Sequence, residues 1–396
     1  MILKISQWLL LLTFTSIFLA SKFYVNSKVG LRPEDFVGFL CILFLPIFVL
    51  KTSHLIPKRI LIIALLYFFY LLVVSLLQGV EYTNNIFVLY FKELSYFSYF
   101  LVAFYFFYHS SEKSISRFLS FFIILSVPNV LYLYYQLITG NTIGMYGVSF
   151  YGHGNSPASS GLLGLAIFLL VYFYYHFVNK NLLIFFYLIA ALMIVFFIGS
   201  KIAAVGLLSF YFMMTILERN FSKFFSSMFV ILIIGFVLNY SINSGIGALH
   251  RLDQIFSPID AIINRGIWFK FQWIEGLFDM IFGGGLKMGH LSYDSSFSYG
   301  MAMDNQFLYF LLVLGFIGSL IFFYLLILLI IKHPRGSRQR KIQISLTISY
   351  FSMGMGAEVF QLSLSGLMFW IISGLLLGYS NKISYGNKTV NNSHAF

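Results

Sequence analysis

Apolar residues in this chain come in long unbroken blocks separated by short polar stretches, with neither the alternation of a half-buried strand nor the narrow stripe of a surface helix. A block of about 17 residues or more crosses a hydrocarbon core about 30 Å thick when helical. Blocks of that kind predict about twelve helical spans, over 5–21, 36–50, 60–77, 86–108, 118–138, 159–178, 181–198, 202–217, 224–243, 305–331, 342–357 and 360–379. The first follows only Lys4 and lacks a small-residue cleavage site, so it reads as a retained span rather than a signal peptide. The chain then divides into spans 1–9 (1–243), a long polar loop (244–304), spans 10–12 (305–380) and a polar tail (381–396) that is expected to be loose.

The long loop has its own pattern. Steps of three and four from Arg265 put Arg265, Trp268, Gln272, Glu275 and Asp279 on one helical face, with Ile263, Ile267, Ile274, Leu277, Phe278 and Ile281 opposite. An amphipathic helix is expected there, lying on the membrane surface or against the bundle. Gly283, Gly284 and Gly285 follow and must end it. Such a turn either stops the helix and nothing more, or brings backbone N–H groups close to an anion.

Composition supports the membrane reading and adds charge to it. Of 396 residues 60% are hydrophobic and 10% charged, with 49 Phe and 27 Tyr. A single soluble core stops growing at roughly 250–300 residues, so no soluble domain hides that much apolar surface. Cationic residues are biased to one set of loops. With a cytoplasmic N-terminus, 16 of the 25 Lys and Arg fall inside and 8 outside, Lys92 being left within a span. Both termini are therefore expected in the cytoplasm and the 244–304 loop on the other side. The strongest inside element is Lys332 to Lys341 (KHPRGSRQRK). The net charge of +12 is read as this topogenic signal, because scattered loop cations form no nucleic-acid groove. Cys41 is the single cysteine, which excludes an internal disulfide and a multi-cysteine metal site.

Candidate chemistry concentrates in and beside the loop, which holds Asp253, Asp260, Glu275, Asp279, Asp294 and Asp304 of the thirteen acids. Asp304 and Asn305 open the tenth span. An aspartate there can cap the helix, act as a base, or do both. Lys92 sits beside Glu93 about two turns inside the fourth span, where a cation either faces the bundle interior or snorkels to the interface. His153, His250 and His290 are further acid–base candidates that read equally well as hydrogen-bonded loop residues. Tyr146, Phe150, Tyr151, Tyr293, Phe297 and Tyr299 could stack on sugar faces or belong to an interfacial belt. No His or acid spacing fits a metal, and none is expected.

One set of residues resembles a known family. Arg265 with Trp268 three residues on, the turn Gly283–Gly285, Asp304 with Asn305, and a Leu-rich helix containing Gly315 and Gly318 together resemble the O-antigen ligase and polymerase superfamily. Ser200 and Lys201 in GSKIAAVG, and Asn155 and Pro157 in YGHGNSPASSGLLGLA, agree with two further segments of that family. The resemblance implies an all-α polytopic protein of GT-C-like class in the bacterial inner membrane, with a long periplasmic loop between spans 9 and 10. It implies transfer of glycans from undecaprenyl pyrophosphate at a periplasmic active site. Asp304 stands where the ligase branch typically has His, and Lys201 where it has Arg, which directs the reading to the Wzy-type polymerase branch. On that reading Arg265 and Lys201 hold the pyrophosphate, and Asp304 is base or acceptor-orienting group. Lys92, Asn155, Trp268, Asn305 and Glu275 complete the substrate site. No cofactor or metal is required, and a chain-length regulator and a flippase are the expected protein partners.

An O-antigen ligase and a lipid-linked oligosaccharide flippase are the alternatives. An ion-coupled transporter is expected to show discontinuous helices and acids near mid-depth. By sequence Glu93 and Glu358 lie toward the ends of their spans, and the ionisable groups gather in the long loop instead.

Overall fold

A computed structural model describes residues 1–19, 23–24, 30–78, 83–141, 143, 149–150, 157–178, 200–219, 222, 225, 276–286, 305–355, 359–360 and 363–393. The described chain is helical apart from one two-residue antiparallel pair, β1 (Phe23–Tyr24) with β2 (Gly30–Leu31). Its helices are α1 (Ile2–Leu19), α2 (Pro33–Leu43), α3 (Leu45–Thr52), α4 (Lys58–Gln78), α5 (Thr83–His109), α6 (Glu112–Thr139), α7 (Pro157–Val178), α8 (Lys201–Glu218), α9 (Leu277–Phe282), α10 (Gln306–Tyr309), α11 (Gly315–Ile331), α12 (Arg338–Gly354) and α13 (Ser363–Ser393).

Among the described residues, five helices are long and apolar enough to cross a membrane, and a sixth if α2 and α3 form one bent span. Three shorter apolar helices lie over 2–18, 161–172 and 202–218. The expected spans 181–198 and 224–243 fall outside the described residues, so a total of twelve is not reached here.

Two of the expected spans are broken. The span predicted over 36–50 bends by 57° between α2 and α3. Pro46 is the cause: it has no N–H to give the preceding turn, and its ring crowds a carbonyl four residues back. The span predicted over 305–331 contains a π-turn at Phe310–Leu314 between α10 and α11. It ends at Gly315, whose φ of 61° and ψ of −172° belong to a region that only glycine occupies readily. Ser319 Oγ donates to Gly315 O at 2.6 Å and Phe310 O at 3.1 Å, satisfying carbonyls that the break leaves open.

The core is a contact between α5 and α13. Gly374 and Gly378, one turn apart, let α13 approach so closely that a Cβ on them would lie 2.3 Å from Phe100 O and 2.5 Å from Phe104 O. Small residues at that spacing let membrane helices pack through backbone and dispersion contacts, which lipid cannot replace. Aromatic rings fill the space around this pair: Trp370 meets Phe97 and Phe100 edge-on, and Phe360 meets Phe322 and Phe369. Helix α12 is polar for a predicted span, yet its Gln343, Ser345, Thr347 and Ser349 are buried. Gln343 Nε2 donates to Ser373 Oγ at 3.0 Å, and Ser349 Oγ to Gly206 O at 2.6 Å. Such bonds tie α12 to its neighbours in a medium that offers no water.

The helix directions sort the loops into two ends. At one end the start of α7 meets the start of α8, where a Cβ on Gly161 would lie 2.2 Å from the Ser200 side chain, and Asn305 reaches Met355 beyond α12. At the other, Asn381 Nδ2 donates to Leu55 O at 3.1 Å and Lys382 Nζ to Ser110 O at 2.5 Å. That second end carries Lys58, Lys113, Lys332, Arg335, Arg340 and Lys341, all assigned to one side by the charge bias. The tail expected to be loose from Asn381 instead continues as helix to Ser393. The two bonds made by Asn381 and Lys382 anchor its beginning.

His333 lies in this basic end with both ring nitrogens buried and without a hydrogen-bond partner among the described residues. Burial, and then the nearby Arg340, push its pKa down from 6.5 to about 4. The folded state therefore holds the ring neutral, while the unfolded chain takes up a proton below about pH 6.5. The stability is present above that pH and is lost as the pH falls through about 4, by up to about 3 kcal/mol. We expect the melting temperature of purified protein to drop more between about pH 7 and about pH 4.5 for the wild type than for His333→Gln. Equal drops would show that His333 is not the group responsible.

Candidate functional site

Ionisable side chains enter the bundle at the end that holds Asn305. Helix α2 begins with Pro33, whose missing N–H costs nothing in a first turn, followed by Glu34 and Asp35. Asp35 Oδ2 accepts the Arg32 backbone N–H at 2.8 Å, which fixes the entry of the helix. The same Oδ2 faces Lys92 Nζ at 3.7 Å, and Arg32 Nη1 faces Glu34 Oε1 at 3.7 Å. Among the described residues neither Glu34 oxygen has a hydrogen-bond donor, while Tyr99 Oη donates to the Glu34 carbonyl at 2.8 Å. Two cations and two carboxylates thus balance at the mouth of the α2–α5 contact. Close approach is possible because Gly38 faces Ser95, where a Cβ would lie 2.8 Å from the Ser95 side chain.

Glu93 points to the other side of α5. It accepts from Tyr309 Oη at 2.5 Å and from Tyr67 Oη at 3.2 Å, and it is buried. The carboxylate therefore links α4, α5 and the start of the tenth span. The position lies about two turns inside the apolar stretch Ile86–His109, as expected, and it adjoins the broken segment that begins at Phe310. The expectation that discontinuous helices would be missing is corrected by the two breaks, whereas Glu93 stays toward the start of its span. The sequence pattern did not reveal the partners of Glu93, because it follows Lys92 and the pair resembles an interfacial doublet.

The second constellation is built from backbone. Helix α9 leaves Leu277 and Phe278 exposed on the bundle surface, as an apolar face laid toward lipid would be. After it the chain turns inward. Gly284 N donates to Leu312 O at 2.7 Å and Gly285 N to Val313 O at 3.0 Å, both carbonyls belonging to the π-turn. Leu286 N donates to Ser75 Oγ at 2.9 Å. Tyr70 Oη donates to Phe282 O at 2.6 Å and Leu314 O at 2.9 Å, bridging the two segments. The option of an anion site in this glycine turn is therefore corrected: the N–H groups of Gly284 and Gly285 already serve the carbonyls exposed by the break.

The other predicted residues divide as follows. Arg265, Trp268, Glu275, Asp304 and Asn155 lie outside the described residues, as do His153, His250, His290, Tyr146, Tyr151, Tyr293, Phe297 and Tyr299. Lys201 is the first residue of α8, behind Ser200, whose Oγ caps the helix by accepting Ala203 N–H at 3.3 Å. Lys92 faces the bundle and pairs with Asp35. Asn305 is the cap of the tenth span, with Oδ1 accepting Phe307 N–H at 2.9 Å and Leu308 N–H at 3.0 Å, and Nδ2 donating to Met355 O at 3.2 Å. The capping duty considered for Asp304 thus belongs to Asn305. Phe150 is buried and presents no face to a sugar. Ser149 beside it is held through its backbone by Gln136.

Sequence reasoning counted Arg32 only as a loop cation and singled out neither Glu34 nor Asp35 as a site. Three ionisable residues in four positions at the mouth of an apolar span were the signal available. Among the described residues, no three His, Cys, Asp or Glu side chains converge as a metal site would require. No protein-family model matches the chain, and no curated protein sequence matches it.

Proposed function

We propose that this protein is a membrane glycosyltransferase of the polysaccharide-polymerase type. It moves a growing glycan from undecaprenyl pyrophosphate onto a new lipid-linked repeat unit. The observation that carries this reading is the convergence of the motif glycines. Gly283–Gly285 and Gly315, thirty residues apart in the chain and grouped by resemblance alone, share one backbone contact, and Gly318 accommodates the Tyr70 ring that bridges them. The amphipathic segment bearing Arg265 and Glu275 leads directly into that contact, and Asp304–Asn305 lead into its other half.

The chemistry follows from the charges. The acceptor hydroxyl attacks the anomeric carbon of the donor, the bond to the pyrophosphate oxygen breaks, and the hydroxyl proton passes to a base. Arg265 binds phosphate oxygens through its planar fork and keeps its charge, with Lys201 as a second fixed cation against the leaving group. Asp304 takes the proton. Its neighbour Asn305 already caps the helix, which frees the aspartate for that work. Lys92 is matched by Asp35, so it contributes position more than charge. Asp304→Asn is expected to lower polymer formation at least about a hundredfold at unchanged membrane abundance. Unimpaired polymer would remove the base role.

A lipid-linked oligosaccharide flippase is the second reading, favoured by Glu93 buried between two tyrosines beside a broken span. The surface glycan of a strain lacking the gene, resolved by gel, separates the readings. Core bearing a single repeat unit establishes the polymerase. Bare core with polymer on the lipid carrier identifies a ligase, and bare core without it identifies the flippase.

A further inference from the structure

We propose that Tyr70 is a positioning residue that locks the segment 276–286 of the long loop onto the tenth span, an inference that rests on the polymerase reading above. Three observations carry it. The Tyr70 hydroxyl donates to Phe282 O and Leu314 O, one carbonyl from each side of the contact. Its ring lies where only a glycine leaves room, since a Cβ on Gly318 would sit 2.4 Å from Tyr70 Cε1. The contact it bridges admits no side chain, because a Cβ on Gly315 would lie 2.3 Å from Gly283 N and one on Gly285 2.5 Å from Ser75 Cα. The segment around Gly284 is thus registered against the π-turn by Tyr70 and by its own N–H groups, and against α4 by Ser75.

Arg265 and Glu275 precede that segment in the chain and Asp304 precedes Asn305, so its register is the tie between the two stretches that carry the proposed site. Glu275 stands one residue before the described segment, and Asn305 is held by its cap at the head of the helix that Gly315 interrupts. Losing the bridge takes one donor from Phe282 O and from Leu314 O, so the loop segment loosens there first. A misplacement of about 1 Å in groups that act on one bond costs up to about a hundredfold in rate.

The test uses the full-length protein in lipid nanodiscs, with lipid-linked repeat units extracted from a strain lacking the gene as substrate. Tyr70→Phe removes one hydroxyl and keeps the ring. Hydrogen exchange of the peptide spanning 276–286 should speed up about tenfold, as befits the loss of a bond. The kcat should fall at least about tenfold while KM and membrane abundance stay close to wild type. A merely structural role would move abundance and leave kcat per folded molecule unchanged. Unchanged exchange, or faster exchange with unchanged kcat, overturns the proposal. If Tyr70→Phe fails to accumulate, Ser75→Ala, which deletes only the bond to Leu286 N, should show the same paired change in smaller degree, and its absence overturns the proposal equally. Wild-type protein that makes no polymer from these units overturns the polymerase reading and the positioning role with it, an outcome distinct from an active wild type matched by an active Tyr70→Phe.

Discussion

Gly283→Ala will strip most of the folded protein from the membrane. Gly283 has φ 80° and ψ 166°, a combination that side-chain-bearing residues avoid at a cost of about 1–3 kcal/mol. The added Cβ would also lie 2.4 Å from Val313 O, 2.6 Å from Gly315 N and 2.7 Å from Leu314 C. All three are backbone atoms of the broken span, so no rotamer change relieves the clash. The segment must withdraw, and the bonds from Gly284 and Gly285 go with it, each worth about 1 kcal/mol. The expected loss is about 3–5 kcal/mol, a large part of the stability of an ordinary domain. Gly276→Ala is the matched control, because φ is −175° and nothing lies within 4 Å of the new methyl. Thermal unfolding of tagged, solubilised protein should leave Gly276→Ala within about 0.5 kcal/mol of wild type. Equal stability of the two variants would show that the glycine turn is not packed against the π-turn.

Arg265→Ala is expected to abolish long-chain glycan while the protein still inserts. Removing one fixed charge from a site that stabilises a leaving anion costs about a hundred- to a thousandfold in rate. Arg265→Lys should recover only part of it, since an ammonium supplies a point charge where a guanidinium supplies a fork. The measurement is the gel ladder of surface glycan in cells complemented with each variant, alongside immunoblots of the membrane fraction. A normal ladder from Arg265→Ala would end the pyrophosphate role for this residue, and with it the strongest reason for reading the loop as a donor site.

The Gly283→Ala experiment bears on how the loop joins the bundle, and there the limits of sequence reading are visible. The glycines at 283–285 stood out as a necessary helix stop, and Gly315 and Gly318 as glycines within a Leu-rich helix. That the two sets touch was not legible, because the contact is made by N–H and C=O groups that every residue carries. Tyr70 was one of 27 tyrosines, and its neighbours in the chain are ordinary apolar residues. Lys92 and Glu93 were noticed, but their partners Asp35, Tyr67 and Tyr309 come from three other segments.

The sequence by itself determined the solvent and the local geometry of this protein. Apolar blocks of membrane length require helices, because a backbone in lipid must satisfy its own hydrogen bonds, and the cationic bias sorts the loops into two sets. Pro46 and Gly315 already carried the reasons for both broken spans. Only the tertiary structure decided which charges neutralise each other, which asparagine caps the tenth span, and which donors answer the carbonyls released at its break. Those outcomes depend on distances between segments far apart in the chain, and periodicity along one segment contains no information about them.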